Sequence, residues 1–248
     1  MNGFLAITRV TLQQLVGGKR FWGLLALAGL PALITVLAGR SVSEVERYRF
    51  FHEGPLNTFL ILIVPIVAVV VGTAALGDER RHETLSFLVL RPIPRSVIVA
   101  AKTASAWVAS FAICGLGGAA AAIVFGLIDG SWRPLPAIIV LAALNTLGYA
   151  ALFVPLGYLV SRAALIGLAF IFLWDTSLTV FVTALAPYSI SRIGLSAYVA
   201  LVERVPIATT DVLGSVDPGT GGAVAKAAVL TALAVALTSY LMRRRDLV

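Results

Sequence analysis

Long apolar runs without charge, separated by short segments that hold most of the charge, dominate the pattern of this chain. Residues 21–38 and 57–77 contain no Asp, Glu, Lys or Arg, and each is long enough to cross a hydrocarbon core as a helix. Two further uncharged runs, 103–128 and 134–161, flank the tight turn Asp129-Gly130-Ser131-Trp132-Arg133-Pro134 and so predict a hairpin of long helices. A fifth run, 163–186, carries the single charge Asp175. The sixth, 227–242, has only 16 residues, and it spans comfortably only if Lys226 snorkels. The predicted fold is all-α: a polytopic membrane protein with six transmembrane helices in a single transmembrane domain covering 1–248.

Ahead of the first run, Phe4, Leu5, Ile7, Leu12, Leu15 and Val16 share one arc of a helical wheel, with Arg9, Gln13 and Arg20 opposite. That pattern predicts an N-terminal amphipathic helix lying in the interface over 1–20, although a cytoplasmic extension of the first span has the same periodicity. Polar residues recur too regularly here for a signal peptide, so no cleaved leader is expected. Residues 187–226 are too many for a simple turn. They predict an extracytoplasmic loop with a surface helix ahead of the Gly-rich stretch 217–222.

Composition agrees with the pattern: 59% hydrophobic, 12% charged, mean hydropathy +0.97, which excludes an ordinary soluble domain. The net charge of +7 is spread between apolar runs rather than gathered in one patch, which points to topology and lipid headgroups and away from nucleic acid. Six crossings put both termini on one side. If that side is cytoplasmic, it holds Arg9, Lys19, Arg20, Arg80, Arg81, Arg91, Arg95, Lys102, Arg162, Arg243, Arg244 and Arg245, 12 of the 19 basic residues, as the positive-inside rule requires. The expected location is the plasma (inner) membrane. Trp22, Tyr158 and Tyr240 near the inner boundary, and Trp132 and Tyr188 near the outer one, fit interfacial belts.

The segment between spans two and three concentrates polarity. Asp78, Glu79, Arg80, Arg81 and Glu83 lead into Thr84, Leu85, Phe87 and Leu88, and Arg91-Pro92-Ile93-Pro94-Arg95 then breaks any helix. These residues predict a short cytoplasmic helix and a rigid corner over 78–95. An apolar face with fixed charges suits docking to a soluble partner; ordinary positive-inside loop chemistry is the simpler alternative. The acidic pair, the Thr-Leu, the Arg-Pro-Ile-Pro-Arg corner and Lys102 in the next span resemble the membrane subunits of ABC-2 type ATP-binding cassette transporters. Glu83 departs from that pattern, since many relatives have Gly before Thr-Leu.

The resemblance implies a permease subunit that forms a translocation pathway, pairs with a second permease subunit and exports its substrate. It implies that 78–95 contacts a separate ABC ATPase subunit, one of two in the assembly, which would carry ATP and Mg. It further implies that the outer segment 187–226 forms short helices that re-enter the membrane edge and help close the exit.

Asp175 stands in an apolar run beside Trp174, Thr176, Ser177 and Thr179, and a charge at mid-membrane is costly enough to demand a purpose. It reads equally as a pathway or dimer-interface residue and as a structural Asp bonded by neighbours. Asn145 and Thr146 are possible partners, and the small residues 115–122 suggest close helix packing in span three, within the chain or across a subunit interface. An ion-coupled secondary transporter depending on Asp175 is the alternative function; a membrane anchor for a soluble complex is a third.

No Gly-x-x-x-x-Gly-Lys-Ser/Thr pattern occurs, so the chain itself has no P-loop with which to cradle ATP. The two histidines, His52 and His82, fall in loops assigned to opposite sides, and Cys114 is the one cysteine. No catalytic residue, metal site or bound cofactor is therefore expected in the chain.

Overall fold

The computed structural model of the protein describes residues 3–81, 93–202 and 204–245, and all regular structure among them is helical. Helix α1 (Gly3–Val16) is separated by Gly17 and Gly18 from α2 (Lys19–Gly39). Then follow α3 (Glu44–Arg81), α4 (Arg95–Asp129) and α5 (Pro134–Leu159). The second half holds α6 (Ala163–Leu178), α7 (Ser191–Val202), α8 (Ile207–Leu213) and α9 (Thr220–Arg245). Five of them, α2, α3, α4, α5 and α9, are long and apolar enough to cross a membrane.

The fifth expected span is corrected. Instead of one helix over 163–186, α6 gives way after one more short turn to extended backbone at Val182 and a 3₁₀ helix, Thr183–Tyr188. That last helix contains Pro187, which cannot donate to an α-helical ladder. Three other helices outrun their apolar stretches: α3 starts at Glu44, α4 at Arg95 and α9 at Thr220. The charged residues Glu44, Glu46, Arg47 and Arg49 continue the α3 helix beyond the apolar run rather than forming a loop. Helical π-turns at His52–Leu56 and Phe59–Ile63 absorb Pro55 inside α3, where a regular ladder would clash. His52 is accordingly buried in a helix, not placed in a loop.

Helices α3 and α5 pack along each other and form the core with α4 beside them. Glycine permits the closest approach: a Cβ on Gly157 would stand 2.4 Å from the Thr73 carbonyl oxygen, and one on Gly72 2.9 Å from the Phe153 Cβ. In α4, Gly117 meets the Ala28 backbone of α2 and Gly118 the Phe59 ring of α3, so these small residues serve contacts within the chain. The hairpin turn is as expected, with Gly130 at φ +79° closing α4. Helix α1 lies on α4 through Ile7 against Ile98 and Ala101, while Phe4, Leu5, Val10 and Val16 stay exposed. Its apolar arc is thus shared between protein and surroundings.

Hydrogen bonds identify two ends of the bundle. At one, Arg80 donates to the Tyr158 carbonyl (2.9 Å), Arg81 to that of Ser161 (3.2 Å), Arg95 to that of Met242 (3.0 Å), and Arg20 meets Asp78 (3.3 Å). At the other, Arg47 donates to the Ile128 carbonyl (3.4 Å) and Tyr48 to that of Arg204. The start of α2 and the finish of α9 therefore share an end. Trp22, Tyr240, Trp132 and Tyr188 are well exposed, whereas Tyr158 is buried and contributes its carbonyl to the Arg80 contact rather than a ring to the surface.

Candidate functional site

Two polar constellations stand out in this apolar bundle. The first frames the segment 82–92. Its approach is the last turn of α3, with Asp78, Glu79, Arg80 and Arg81, and its exit is Pro94 and Arg95 at the start of α4. Glu79 and Lys102 form an ion pair across α3 and α4, with the Lys102 side chain almost wholly buried. Asp78 is held by Arg20 and by Arg81, the latter at 3.8 Å. Arg80 and Arg81 reach carbonyls around the end of α5, and Arg95 reaches one near the end of α9, where cations also meet the negative ends of helix dipoles.

The expected contact residues on both flanks thus brace helices of the same chain. Glu83, Thr84, Leu85, Phe87, Leu88, Arg91 and Pro92 lie outside the described residues. Lys102 was legible as part of a motif, but its pairing with Glu79 was not, because 23 positions separate them and no helical periodicity links them.

The second constellation surrounds Asp175. This residue lies in a π-helical stretch, Ile171–Leu178, whose wider turn shifts side-chain register, and its side chain is buried against α5 and the entry to α7. Oδ1 accepts from the Ser189 hydroxyl (2.7 Å) and the Ile190 backbone N–H (2.9 Å). Oδ2 accepts from the Tyr149 hydroxyl and the Ser191 N–H (3.2 Å). A carboxylate with four donors, two of them at a helix N-terminus, is well solvated by protein. Asn145, one helical turn before Tyr149 on α5, completes the clasp. Its amide donates to the Ser191 carbonyl (3.1 Å) and its oxygen accepts the Gly194 N–H (2.7 Å).

Asn145 therefore shares with Asp175 the task of holding the first turn of α7, with no direct bond between them among the described contacts. Thr146 bonds back to the Ala142 carbonyl and Thr179 to that of Asp175, satisfying themselves within their own helices. Thr176 lines a small cavity of about 30 Å³ next to Asp175 and Tyr149. Tyr149 and Ser189 were not anticipated. The available signal was position, since Tyr149 follows Asn145 by four residues and so shares its face.

Helix α7 itself is buried from Arg192 to Val199, an unusual environment for a segment expected as an outer-surface helix. It sits among α5, α9 and the second π-turn of α3. His52 accepts or donates at Nε2 with the Tyr198 hydroxyl (3.0 Å), tying α7 to α3. Within the segment 187–226, α7 is hence folded into the body at one end of the bundle.

The profile of a family described as ABC-2 family transporter protein matches residues 19–177, from the first residue of α2 to the last turn of α6. No curated protein matches the chain.

Proposed function

Because the chain belongs to the ABC-2 family of transporter proteins, and is thus a multi-pass transmembrane permease of ABC transport, we propose that it is one of two permease subunits driven by two separate ATPase subunits. In this reading the segment 78–95 is the handle on which the ATPase acts, and ATP and Mg are bound by the ATPase rather than by this chain. The observation that carries it is the bracing of that segment. The Glu79–Lys102 pair joins α3 to α4, and the arginine contacts join both to α5 and α9. A push at 82–92 would then be delivered to four helices instead of being lost in a compliant loop. The far ends of α3 and α4 meet near the outer segment, where Arg47 touches Ile128 and His52 touches Tyr198. This would give the motion a route to the outer segment; export as the direction is carried over from the family resemblance alone.

In this reading the chain crosses six times with both termini in the cytoplasm, and the directions of the helices support the even count. Helix α5 finishes at the braced end, and α9 begins at the opposite end and returns, so the chain between them must traverse the bundle once more. Helix α6, at 1.5 Å per residue, rises roughly 24 Å, and the turns after it supply the remainder. The braced end carries most of the arginine, which supports placing it in the cytoplasm. Exposed apolar side chains on α2 and α9, such as Leu33, Leu37, Leu233 and Leu237, would meet lipid or the second subunit.

The test is purification of the full chain in mild detergent from its native membrane, with the companions identified by mass spectrometry. An ABC ATPase should be retained, and Phe87→Asp or Leu88→Asp should release it while leaving the permease folded. A companion ATPase held equally by both variants, or uphill transport by the chain alone in sealed vesicles, overturns the reading.

A further inference from the structure

At the end of the bundle opposite the braced segment, a cavity of about 200 Å³ opens between the start of α7 and the start of α9. Its polar lining comes from Ser189, Arg192, Ser196, Asp217 and Lys226. Arg192 is the unusual member. The residue is 95% buried, with a relative exposure of 5%, yet its Nη1 has no hydrogen-bond partner. A buried guanidinium nitrogen without an acceptor is costly, and the ordinary remedy is an anion.

Asp175 acts on Arg192 only through space, because its two oxygens are occupied by the Tyr149, Ser189, Ile190 and Ser191 donors. The cavity wall adds two more positive elements. Lys226 stands in the second turn of α9, and Gly219 and Gly222 place the N-terminus of this 26-residue helix at the rim, where no side chain blocks approach to its backbone N–H groups. Asp217 is the single acidic member of the lining. Ser196 is already engaged with Asp217 and Gly219, which fixes the loop that forms the floor.

We propose that this cavity binds a phosphate group, with Arg192 and Lys226 as its charged ligands and the α9 N-terminus as its backbone cradle. A planar guanidinium with an unpartnered Nη1 suits a tetrahedral oxyanion, and the ammonium supplies a second charge. The phosphate can be that of a lipid headgroup in the adjoining leaflet or that of a soluble molecule reaching the outer mouth. The proposal does not depend on the identity of the ATPase or on the role of 78–95.

The experiment uses the full chain in an uncharged detergent. One arm titrates inorganic phosphate against chloride at matched ionic strength and follows thermal unfolding. The other measures retention of phosphatidylglycerol against phosphatidylcholine by native mass spectrometry. Stabilisation by inorganic phosphate identifies a soluble source, and selective retention of phosphatidylglycerol alone identifies a lipid source. In either case Lys226→Gln should weaken binding roughly tenfold, as loss of one charge-assisted contact does. Arg192→Gln should weaken it at least as much. Asp217→Asn should tighten it by removing the one repulsive charge, a gain that mere structural damage would not produce. Failure of both probes to bind, or binding unchanged in Lys226→Gln and Arg192→Gln, overturns the proposal.

Discussion

Asp175 is where a single residue carries the most structure. Its carboxylate caps α7 from another helix, so the charge is balanced by two backbone N–H groups, two hydroxyls and the positive end of the α7 dipole. Asp175→Asn removes the charge and turns one acceptor into a donor facing donors. It should cost about 2–3 kcal/mol, the usual scale for losing hydrogen bonds to a charged group, read as a lowered unfolding temperature in detergent. Tyr149→Phe should cost about 2 kcal/mol by the same reasoning, and the two together should cost less than their sum, since they remove one interaction. Fully additive losses would show that the bond does not bear the load assigned to it. The importance of Asp175 and Asn145 was legible in the sequence because each interrupts an apolar run. What they hold was not, because the partner N–H groups at Ile190, Ser191 and Gly194 belong to backbone, and no side-chain pattern announces them.

Among elements, α3 and α4 are joined at the braced end by the buried Glu79–Lys102 pair. Glu79→Gln leaves Lys102 buried without its counter-ion, a loss of about 3–5 kcal/mol for a broken buried pair. The charge-exchanged double variant Glu79→Lys, Lys102→Glu should recover part of the stability that either single change removes, measured by thermal unfolding. No recovery would mean that the surroundings, rather than the pair, fix these charges. Farther along, Gly157→Ala drives a Cβ into the Thr73 carbonyl and must part α3 from α5. Cross-linking between cysteines placed at Thr73 and Gly157 neighbours should fall, and stability should drop by about 1–3 kcal/mol, the cost of overpacking. Helix existence was easy to foresee here, since apolar runs mark it; helix ends were not. Apolarity reports where a membrane begins, while the helix continues through Glu44, Arg95 or Thr220 because nothing in those sequences stops it. The reverse holds for α6, whose run stays apolar to Ala186 although the backbone leaves the α-helix at Val182.

At the scale of the whole molecule, the relative directions of the helices follow from which residues share an end. The chain places Ser161, Arg95 and Met242 together with the end of α3, and Tyr48, Arg204 and Ile128 together with its start. Cys114 is buried in α4, so single cysteines introduced elsewhere can be read without interference. In intact cells, a membrane-impermeant maleimide should label Val45→Cys and Gly221→Cys, and should reach Arg162→Cys and Arg243→Cys only after the membrane is opened. Val45 and Arg162 are separated by an odd number of crossings, namely α3, α4 and α5, and Arg162 and Gly221 by α6 with its following turns alone. The pair Arg162 and Gly221 therefore tests the short fifth traverse by itself. Labelling of both from the same side would mean that α6 enters and leaves through one face, and five crossings would then put the termini on opposite sides. Labelling of all four in the opposite sense would keep the six crossings and invert the bundle, setting the arginine-rich end outside against the charge rule that assigned it.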